Sequence, residues 1–373
     1  MLEWHKREKP KAMRVALLAP FEEPIPPPKY GGTERIVYSL AEELVRLGHD
    51  VTLFASGDSK TSARLVSCVP SSLRPLIDND QRTWMYMQWH GFHQALHVLR
   101  SKRYDIIHNH ADWPFLIAGA FTNAPILTTI HNPVQYNLGV KELYQRYPYV
   151  SISNAARRYL PSLDYVSTVH HGIDVREFEY GDSPGDYLAF LGRIDKDKGI
   201  EQAIEVARRS GSKLIIAAKI DGPRLAYYRK KIKPLIDGKQ IIFIGEVAQS
   251  AKVTLLKNAR ALLSPIQWDE PFGLANIEAM ACGTPVLALS RGSLPEIIAD
   301  GKTGYLCKSL DELIDRIADI PKLKRQACRA HVERHFTVTH MATKYVATYE
   351  KLIKSHRLRV FQHFKVMKSF MIP

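Results

Sequence analysis

The sequence predicts an α/β protein made of two domains, each with a doubly wound parallel sheet. Short apolar runs of strand length alternate with amphipathic helical stretches, and this order restarts after the middle of the chain. The predicted strands are apolar at nearly every position, as expected when helices cover both faces of a parallel sheet. A chain of 373 residues also exceeds what one hydrophobic core commonly serves.

The first domain is predicted over residues 13–175 and opens with a βαβ unit whose helix covers residues 33–47. Residues 1–12 are charged and are interpreted as a flexible leader. The strands of this domain are expected at residues 14–20, 50–56, 105–110, 125–131 and 149–153.

The second domain is predicted over residues 176–345, after a linker at residues 172–185 that is rich in glycine, aspartate and proline. A helical pattern at residues 339–353 leads into a tail, residues 346–373, which is expected to return to the first domain. Strands are expected at residues 187–193, 213–219, 241–247, 261–266 and 285–289, and helices at residues 199–209, 225–235, 250–258 and 274–281.

Composition excludes several classes of protein. A hydrophobic content of 45% with 24% charged residues is ordinary for a globular chain, so disordered and fibrous classes are excluded. No apolar run approaches the ~20 residues of a membrane span. Because the N-terminus also lacks the apolar segment of a secretory signal, we expect a cytoplasmic protein, at most peripheral to a membrane. The four cysteines lack CxxC spacing and indicate neither a zinc site nor a disulfide framework.

The formal net charge of +14 has three interpretations, and the excess lies mostly after residue 175. A solvated basic face ranks first, and contact with an anionic membrane surface or with phosphorylated substrates ranks second. Nucleic acid ranks last and is not expected as a partner, because no RRM, KH, zinc-finger or helix-turn-helix signature accompanies the charge.

Residues 264–285, SPIQWDEPFGLANIEAMACGTP, carry the most informative signal. A strand end is followed by a loop with Glu270 and by a helix that begins near Leu274. A helix start offers unpaired N–H groups and the positive end of the helix dipole, which suits a diphosphate. Glu270 can accept hydrogen bonds from sugar hydroxyls, and Glu278 can hold a vicinal diol such as that of a ribose. The alternative is an ordinary pair of structural carboxylates beside a packed Phe272.

Six segments, in the correct order, closely resemble motifs of the family 4 glycosyltransferases, which are retaining enzymes of the GT-B fold. They are Gly31-Gly32, HNH at 108–110, TIHN at 129–132, HHGID at 170–174, FLGRIDKDKG at 190–199, and EPFGLANIEAMACGTPV at 270–286 with the RGSLPEIIADGKTGYL that follows. The likeness extends from residue 14 to about residue 352. It implies two Rossmann-like domains facing a central cleft, and a donor held by the two glutamates.

The resemblance also implies a set of donor-binding residues. Arg193 and Lys198 would neutralise the departing diphosphate, where their charge matters most in the transition state. Gly31 and Gly32 would let the backbone approach the ligand closely. The sequence AAKIDGP replaces the glycine-rich turn of many relatives and adds Lys219 as a cationic contact. The remaining predicted donor contacts are Val247, Phe272, Gly273, Leu274 and Glu278.

The predicted catalytic residues are Arg193, Lys198, Glu270 and His131, whose family counterpart touches the transferred sugar. The alternatives for His131 are a structural histidine or a metal ligand with the two histidines of the HNH segment. A metal is disfavoured because no carboxylate or cysteine joins them at ligand spacing, and no cofactor is expected.

Asn109, His110 and Tyr136 are predicted to shape the pocket for the acceptor. The acceptor is expected to bind the first domain, at residues 136–149 and at a loop over residues 83–93, where tryptophan and tyrosine can stack on a sugar.

The implied reaction moves a hexose, with retention, from a UDP- or GDP-linked donor to an unknown acceptor hydroxyl. UDP-glucose and UDP-N-acetylglucosamine are favoured as donors, and the departing phosphate oxygen would serve as the base. Glycan, glycolipid or natural-product glycoside biosynthesis is the expected context. A sugar-nucleotide epimerase or glycan phosphorylase of the same fold, and a non-catalytic nucleotide-binding protein, are the alternatives.

Overall fold

The computed structural model describes residues 12–29, 31–111, 113–132 and 145–369. Nearly all of the predicted leader, and Tyr136 of the predicted acceptor pocket, lie outside these residues.

The first sheet is parallel throughout, with the strand order β3-β2-β1-β4-β5-β6-β7. Sequence periodicity predicted five of these strands and missed β3 and β7, whose side chains are only partly covered. The strands are β1 (Arg14–Leu18), β2 (Asp50–Ser56), β3 (Arg64–Val69), β4 (Ile106–Asn109), β5 (Ile126–Ile130), β6 (Pro148–Ser151) and β7 (Asp164–Thr168).

The second sheet is also parallel, with the strand order β10-β9-β8-β11-β12-β13. The five predicted strands are present, and β13 was missed because it has only four residues and begins with glycine. The strands are β8 (Tyr187–Arg193), β9 (Lys213–Lys219), β10 (Ile241–Gly245), β11 (Ala261–Ser264), β12 (Val286–Leu289) and β13 (Gly304–Cys307).

Each sheet has a topological switch point beside its first strand. The chain winds outward from β1 to β2 on one side and to β4 on the other, and it does the same from β8 to β9 and β11. Ligands of doubly wound sheets bind in the crevice beyond the carboxyl ends of the strands at such a point. The two sheets therefore offer two facing crevices.

Helices cover the sheets, and their apolar residues recur at helical spacing. Residues 222–235 form a run of short, irregular helical turns, and short 3₁₀ helices lie at Trp113–Ala120, Ala155–Tyr159, Val175–Glu177 and Arg316–Lys322. The α-helices are α1 (Gly32–Arg46), α2 (Arg74–Asn79), α3 (Gln81–Ser101), α4 (Ile200–Arg209), α5 (Gln249–Lys257), α6 (Leu274–Ala281), α7 (Leu294–Ile297), α8 (Leu310–Asp315), α9 (Arg325–His335) and α10 (Val338–Ser369).

The segment at residues 83–93 is part of α3, which corrects the prediction of a loop there. Asp80 caps the helix by accepting a hydrogen bond from the Thr83 N–H group. Gly91, Ala95 and Leu99 then follow at intervals of four and are buried. This spacing places one stripe of the helix against the sheet.

Helix α10 carries the chain back to the first domain. Its buried residues Met341, Ala342, Tyr345 and Tyr349 lie in the same apolar cluster as the residues of α1 and β1. The return begins at Val338, earlier than the predicted tail at residue 346. Among the described helices, none combines the length and the apolar composition needed to cross a bilayer.

The start of α4 gives a test of packing at the end of the second sheet. Gly199 has φ +74°, and a Cβ atom there would lie 1.9 Å from the carbonyl oxygen of Pro265. Gly211 has φ +67° but no neighbouring atom within 4 Å of such a Cβ. We expect Gly211→Ala to lower the free energy of unfolding by about 1 kcal/mol, and Gly199→Ala by at least twice as much. Denaturant unfolding of both variants measures the difference, and equal losses would contradict this packing.

Candidate active site

A cavity of about 250 Å³ lies between the carboxyl ends of the two sheets. Side chains from both domains line it, and Arg193, Lys198, Glu270 and Glu278 reach one shared cleft rather than separate surfaces. The other predicted residues that line it are Gly31, Gly32, His131, Lys219, Val247, Phe272, Gly273 and Leu274.

Two helices begin at the cavity, one from each domain. Helix α1 follows Gly31, and helix α6 follows Gly273, which has φ +84°. The two starts approach each other so closely that a Cβ atom on Gly32 would lie 3.4 Å from Leu274. Both helix starts therefore present N–H groups and positive dipole ends to the same space.

Lys198 and Glu270 form an ion pair at the edge of the second sheet. The Lys198 Nζ atom lies 2.6 Å from Glu270 Oε2, and the Trp268 Nε1–H group donates to the same oxygen at 2.9 Å. The side chain of Glu270 is 9% exposed and that of Lys198 is 18% exposed. Among the described residues, Glu270 Oε1 has no hydrogen-bond partner, so this oxygen can accept from a ligand hydroxyl.

A second ion pair lies deeper in the cavity. Lys252, on α5, donates to Glu278 of α6, and its ammonium group lies 5.4 Å from the ring centre of Phe178. Both side chains are nearly buried. The pair fixes the position of Glu278 one turn inside the helix.

Arg193 and Lys219 end neighbouring strands, β8 and β9. Both lie 3.7 Å from Asp221, and the Lys219 Nζ atom is also 3.7 Å from Glu23 of the first domain. These separations exceed ordinary hydrogen-bond length, so the contacts with Asp221 and Glu23 are longer-range ion pairs. Both cations line the cavity.

His131 follows β5 and faces the cavity from the first domain. Its Nε2 atom lies 2.8 Å from His110 Nδ1, and its ring stacks on His171 with 5.1 Å between the ring centres. Burial lowers the pKa of His131 to about 3, so the ring is neutral near pH 7. It can give or receive a hydrogen bond but carries no charge.

Comparisons with known proteins agree with this geometry. The family model "Glycosyltransferase Family 4" matches residues 30–177, and the model "Glycosyl transferases group 1" matches residues 177–334. This chain belongs to the family 4 glycosyltransferases. Its two parallel-sheet domains have the GT-B fold of that family.

Named relatives of this glycosyltransferase span most of its length. A glycogen synthase of Mycobacterium tuberculosis is 24% identical over 83% of this chain and 87% of its own. The sucrose-phosphate synthase structure from Thermosynechococcus elongatus has a TM-score of 0.75 at 20% identity, covering 92% of this chain and 100% of that chain. The structure of HepE from Anabaena in complex with UDP-glucose has a TM-score of 0.69 at 17% identity, covering 91% and 100%.

Asn109 and His110 do not line the cavity, which corrects their predicted place in an acceptor pocket. Both are buried, at 0% and 2% exposure. The Asn109 amide donates to Thr128 Oγ1, and its carbonyl accepts from the Ala111 N–H group. Because β4 lies inside the sheet between β1 and β5, the residues at its end are covered, and His110 lies behind His131.

The histidine rings of the HNH segment and of His131 contact one another directly. Successive rings are joined by nitrogen-to-nitrogen contacts of 3.2 Å and 2.8 Å, which are hydrogen-bond lengths. Within the described part of the chain, no group of three or more histidine, cysteine, aspartate or glutamate residues is placed to hold a metal.

Hydrogen bonds that involve Glu296 and Ser153 join the two domains. Glu296 of α7 accepts hydrogen bonds from the N–H groups of Asn154 and Ala155, at 2.9 and 2.8 Å, and lies 3.0 Å from His170 Nε2. The Ser153 hydroxyl donates to the carbonyl of Pro271 at 2.7 Å. The loop that carries Glu270 is thus fixed to the first domain.

Sequence reasoning missed several residues that line or support the site, among them Glu34, which is buried next to the lining rather than part of it. This glutamate is in the first turn of α1, under the Gly31 turn, and is 7% exposed. A Cβ atom on Gly31 would lie 3.1 Å from Glu34 Oε2. Burial, with a smaller effect from Glu22 and Glu23, raises the pKa of Glu34 to about 7. The other missed residues are Trp268, Lys252 and His171, whose ring stacks on that of His131.

The raised pKa of Glu34 makes stability depend on pH. The Glu34 carboxyl group loses its proton near pH 4.5 in the unfolded state and near pH 7 in the folded state. The folded state is therefore more stable below pH 4.5, and this part of its stability is lost as the pH rises to 7. Glu34→Gln keeps the neutral form at every pH. We expect no change in the free energy of unfolding below pH 4.5, and a gain of about 3 kcal/mol above pH 7. Unfolding curves across pH measure it, with the exposed Glu350→Gln as control, and parallel profiles for Glu34→Gln and wild type would contradict it.

Proposed function

We propose that this glycosyltransferase moves a hexose from a nucleoside diphosphate sugar to an acceptor hydroxyl, with retention at the anomeric carbon. A UDP-linked donor is favoured over a GDP-linked one, because HepE, of the same fold, binds UDP-glucose. The observation that carries the proposal is the meeting of two helix starts with Lys198, Arg193 and Glu270 in one cavity.

The diphosphate would occupy the space between the helix starts. The N–H groups of α1 and α6 would bind its oxygens, and Arg193, Lys198 and Lys219 would supply positive charge. Negative charge on the diphosphate grows as the bond to the sugar breaks. These groups are fixed before the reaction, so they stabilise the transition state more than the bound donor.

Glu278 and Glu270 would accept hydrogen bonds from hydroxyl groups on either side of the diphosphate. Glu278 is held by Lys252 at the inner end and would accept from the ribose diol. Glu270 would accept from the sugar through Oε1, because Lys198 and Trp268 already bind Oε2. The pairing also holds the Glu270 carboxylate in place, as a hydrogen-bond acceptor requires.

Retention follows from attack on the face that the diphosphate leaves. The departing phosphate oxygen would take the proton of the acceptor hydroxyl, and no covalent intermediate with the protein is invoked. The anomeric configuration of the product, read by proton NMR, tests this step.

Lys198→Met is expected to lower kcat by about 10²–10³-fold, the loss seen when one group that stabilises developing charge is removed. The matched control is Lys196→Met, since Lys196 is exposed and lies over the ring of Tyr227 rather than in the cavity. Transfer from a panel of nucleotide sugars measures both. Full activity of Lys198→Met, or an equal loss of activity in the two variants, would contradict the proposed role of Lys198 at the diphosphate.

The same assay separates the alternatives. An epimerase would convert the donor without an acceptor, and a non-catalytic binding protein would give no product in either condition. We propose that this enzyme needs no metal ion, because lysine and arginine side chains supply positive charge in the cleft. Its transfer rate is then expected to stay the same in excess chelator.

We propose that the acceptor binds the first domain and that the enzyme works at an anionic membrane surface. Helix α3 exposes Met85, Tyr86 and Trp89 on one face, at 46%, 55% and 55% exposure. Ile117 of the neighbouring 3₁₀ helix and Phe121, which directly follows it, are each 49% exposed, and this 3₁₀ helix packs on α3 through the Phe92 and Phe115 rings. An exposed aromatic and apolar helix face is typical of helices that lie in the membrane interface.

The double variant Tyr86→Ser, Trp89→Ser is expected to bind vesicles of phosphatidylglycerol and phosphatidylcholine about tenfold more weakly than wild type. Val166→Ser is the control, because Val166 is also exposed, at 41%, but lies in β7. Vesicle co-sedimentation at several salt concentrations measures binding. Wild type that does not sediment, or a double variant that binds like the control, would contradict the membrane setting.

A further inference from the structure

We propose that the basic segment, residues 225–239 of the second domain, binds anionic lipid headgroups at a membrane surface. The inference rests on the membrane setting proposed above and adds to it the cations that would hold an anionic surface. It places these cations on the second domain, whereas the exposed aromatic face lies on the first.

Five exposed cations lie within eleven residues of the basic segment. Asp237 is the one acid in this stretch, and its Oδ1 atom accepts from the three backbone N–H groups at residues 239–241, at 2.8–2.9 Å. None of the five cations forms an ion pair with a residue that the structure describes. They are Arg229, Lys230, Lys231, Lys233 and Lys239.

Other cations on the surface of the second domain have acidic partners. Arg209 lies 2.5 Å from Asp311, and Arg329 lies 2.7 Å from Glu333. Like charges that are crowded on one surface repel one another, and a bound anion relieves this repulsion. The basic segment is therefore a surface that an anionic partner stabilises.

The fold holds the basic segment in place from its inner side. Ile232 is fully buried, and the ring of Tyr228 packs on Phe243 of β10 with 5.4 Å between the ring centres. The carbonyl of Leu235 accepts a hydrogen bond from Arg208 at 2.9 Å. Because the backbone is already ordered, a partner that binds the exposed cations does not have to order it.

The form of the basic segment favours lipid headgroups over nucleic acid. Proteins that bind single strands stack the bases on aromatic rings, but Tyr228 is packed on Phe243, and Tyr227 is bonded to Glu201 and covered by Lys196. Short irregular turns also replace the regular helix or strand pair that enters the groove of a duplex. Anionic lipids require only positive charge close to the membrane surface.

The basic segment begins at the same end of the cleft as the apolar face of α3. Gln88 of α3 donates to Glu22 at 2.5 Å, and the next residue, Glu23, lies 3.7 Å from Lys219 across the cleft. Lys219 ends β9, and the chain enters the basic segment six residues later. The two surfaces therefore flank one opening of the cleft, one on each domain.

Stable attachment to a bilayer takes two signals, for example an apolar anchor and a basic patch. The exposed face of α3 is apolar and aromatic, at Met85, Tyr86 and Trp89. The basic segment is charged and exposes one large apolar side chain, Leu225, at 37%. Each surface supplies what the other has little of, and binding through both would hold the opening of the cleft at the membrane.

The double variant Lys230→Gln, Lys231→Gln tests the basic segment. We expect it to bind vesicles of phosphatidylglycerol and phosphatidylcholine about 30-fold more weakly than wild type, the loss expected for two cations near an anionic surface. The matched control is Lys302→Gln, Lys308→Gln, which removes the same charge from two exposed lysines beside β13, at the opposite edge of the sheet from β10. Co-sedimentation measures binding, and equal weakening in the two variants, or wild-type binding by Lys230→Gln, Lys231→Gln, overturns the proposal.

Other anions provide the test of the partner. Wild type is expected to lose its binding in vesicles of phosphatidylcholine alone and to bind the mixed vesicles more weakly as salt rises. Equal binding to neutral vesicles overturns the proposal. Tighter binding to a single-stranded RNA or a duplex DNA oligomer than to the mixed vesicles, lost in Lys230→Gln, Lys231→Gln, would assign the surface to nucleic acid and also overturn it.

The binding assay contains no sugar nucleotide, so its outcome is separate from that of the transfer assay. Weak binding by Lys230→Gln, Lys231→Gln supports the basic segment even in a protein that transfers no hexose. The same loss, together with wild-type binding by Tyr86→Ser, Trp89→Ser, supports the basic segment and counts against α3. The reverse result overturns the basic segment and leaves the role of α3 in place.

Discussion

The site depends on the pairing of charges that the fold has removed from water. An unpaired charge in such a cavity would cost several kcal/mol, so each acid needs a cation close by. Glu270 has Lys198, Glu278 has Lys252, and Asp221 lies between Arg193 and Lys219. The partners come from different strands and helices, so folding of the second domain assembles the pairs. A diphosphate that enters the cleft then meets cations already positioned for it.

The loosest of these pairs are the ones nearest the strand ends. Lys252 and Glu278 are in direct contact, whereas Arg193 and Lys219 lie 3.7 Å from their carboxylates. Lys219 also faces Glu23 across the cleft at the same distance. The two close pairs hold the acids that are proposed to bind hydroxyl groups, and Lys198 in one of them also faces the space proposed for the diphosphate. Arg193 and Lys219 bring further positive charge to that space from the ends of β8 and β9.

Most of the strands and helices, and many of the residues that line the cavity, could be predicted from the sequence. The helix at residues 274–281 was placed correctly because Gly273 before it and the apolar spacing within it are local signals. Lys252 could not be found, since it is an ordinary lysine of a predicted helix until α5 packs on α6 and brings it to Glu278. Asn109 and His110 were misplaced for a related reason. A motif at a strand end shows that a crevice is near, but burial by the neighbouring strands decides which side chains reach it.

Helix α10 makes the two domains parts of one folded unit. It follows the second domain, yet Met341, Tyr345 and Tyr349 complete the apolar core against α1 and β1 of the first. The Glu296 carboxylate and the Ser153 hydroxyl join the domains again behind the cleft. Because α10 supplies part of the core of the first domain, a change in how it packs reaches His108 and its neighbours directly. Helix α10 is therefore part of the scaffold that positions the cleft histidine, even though none of its described residues lines the cavity.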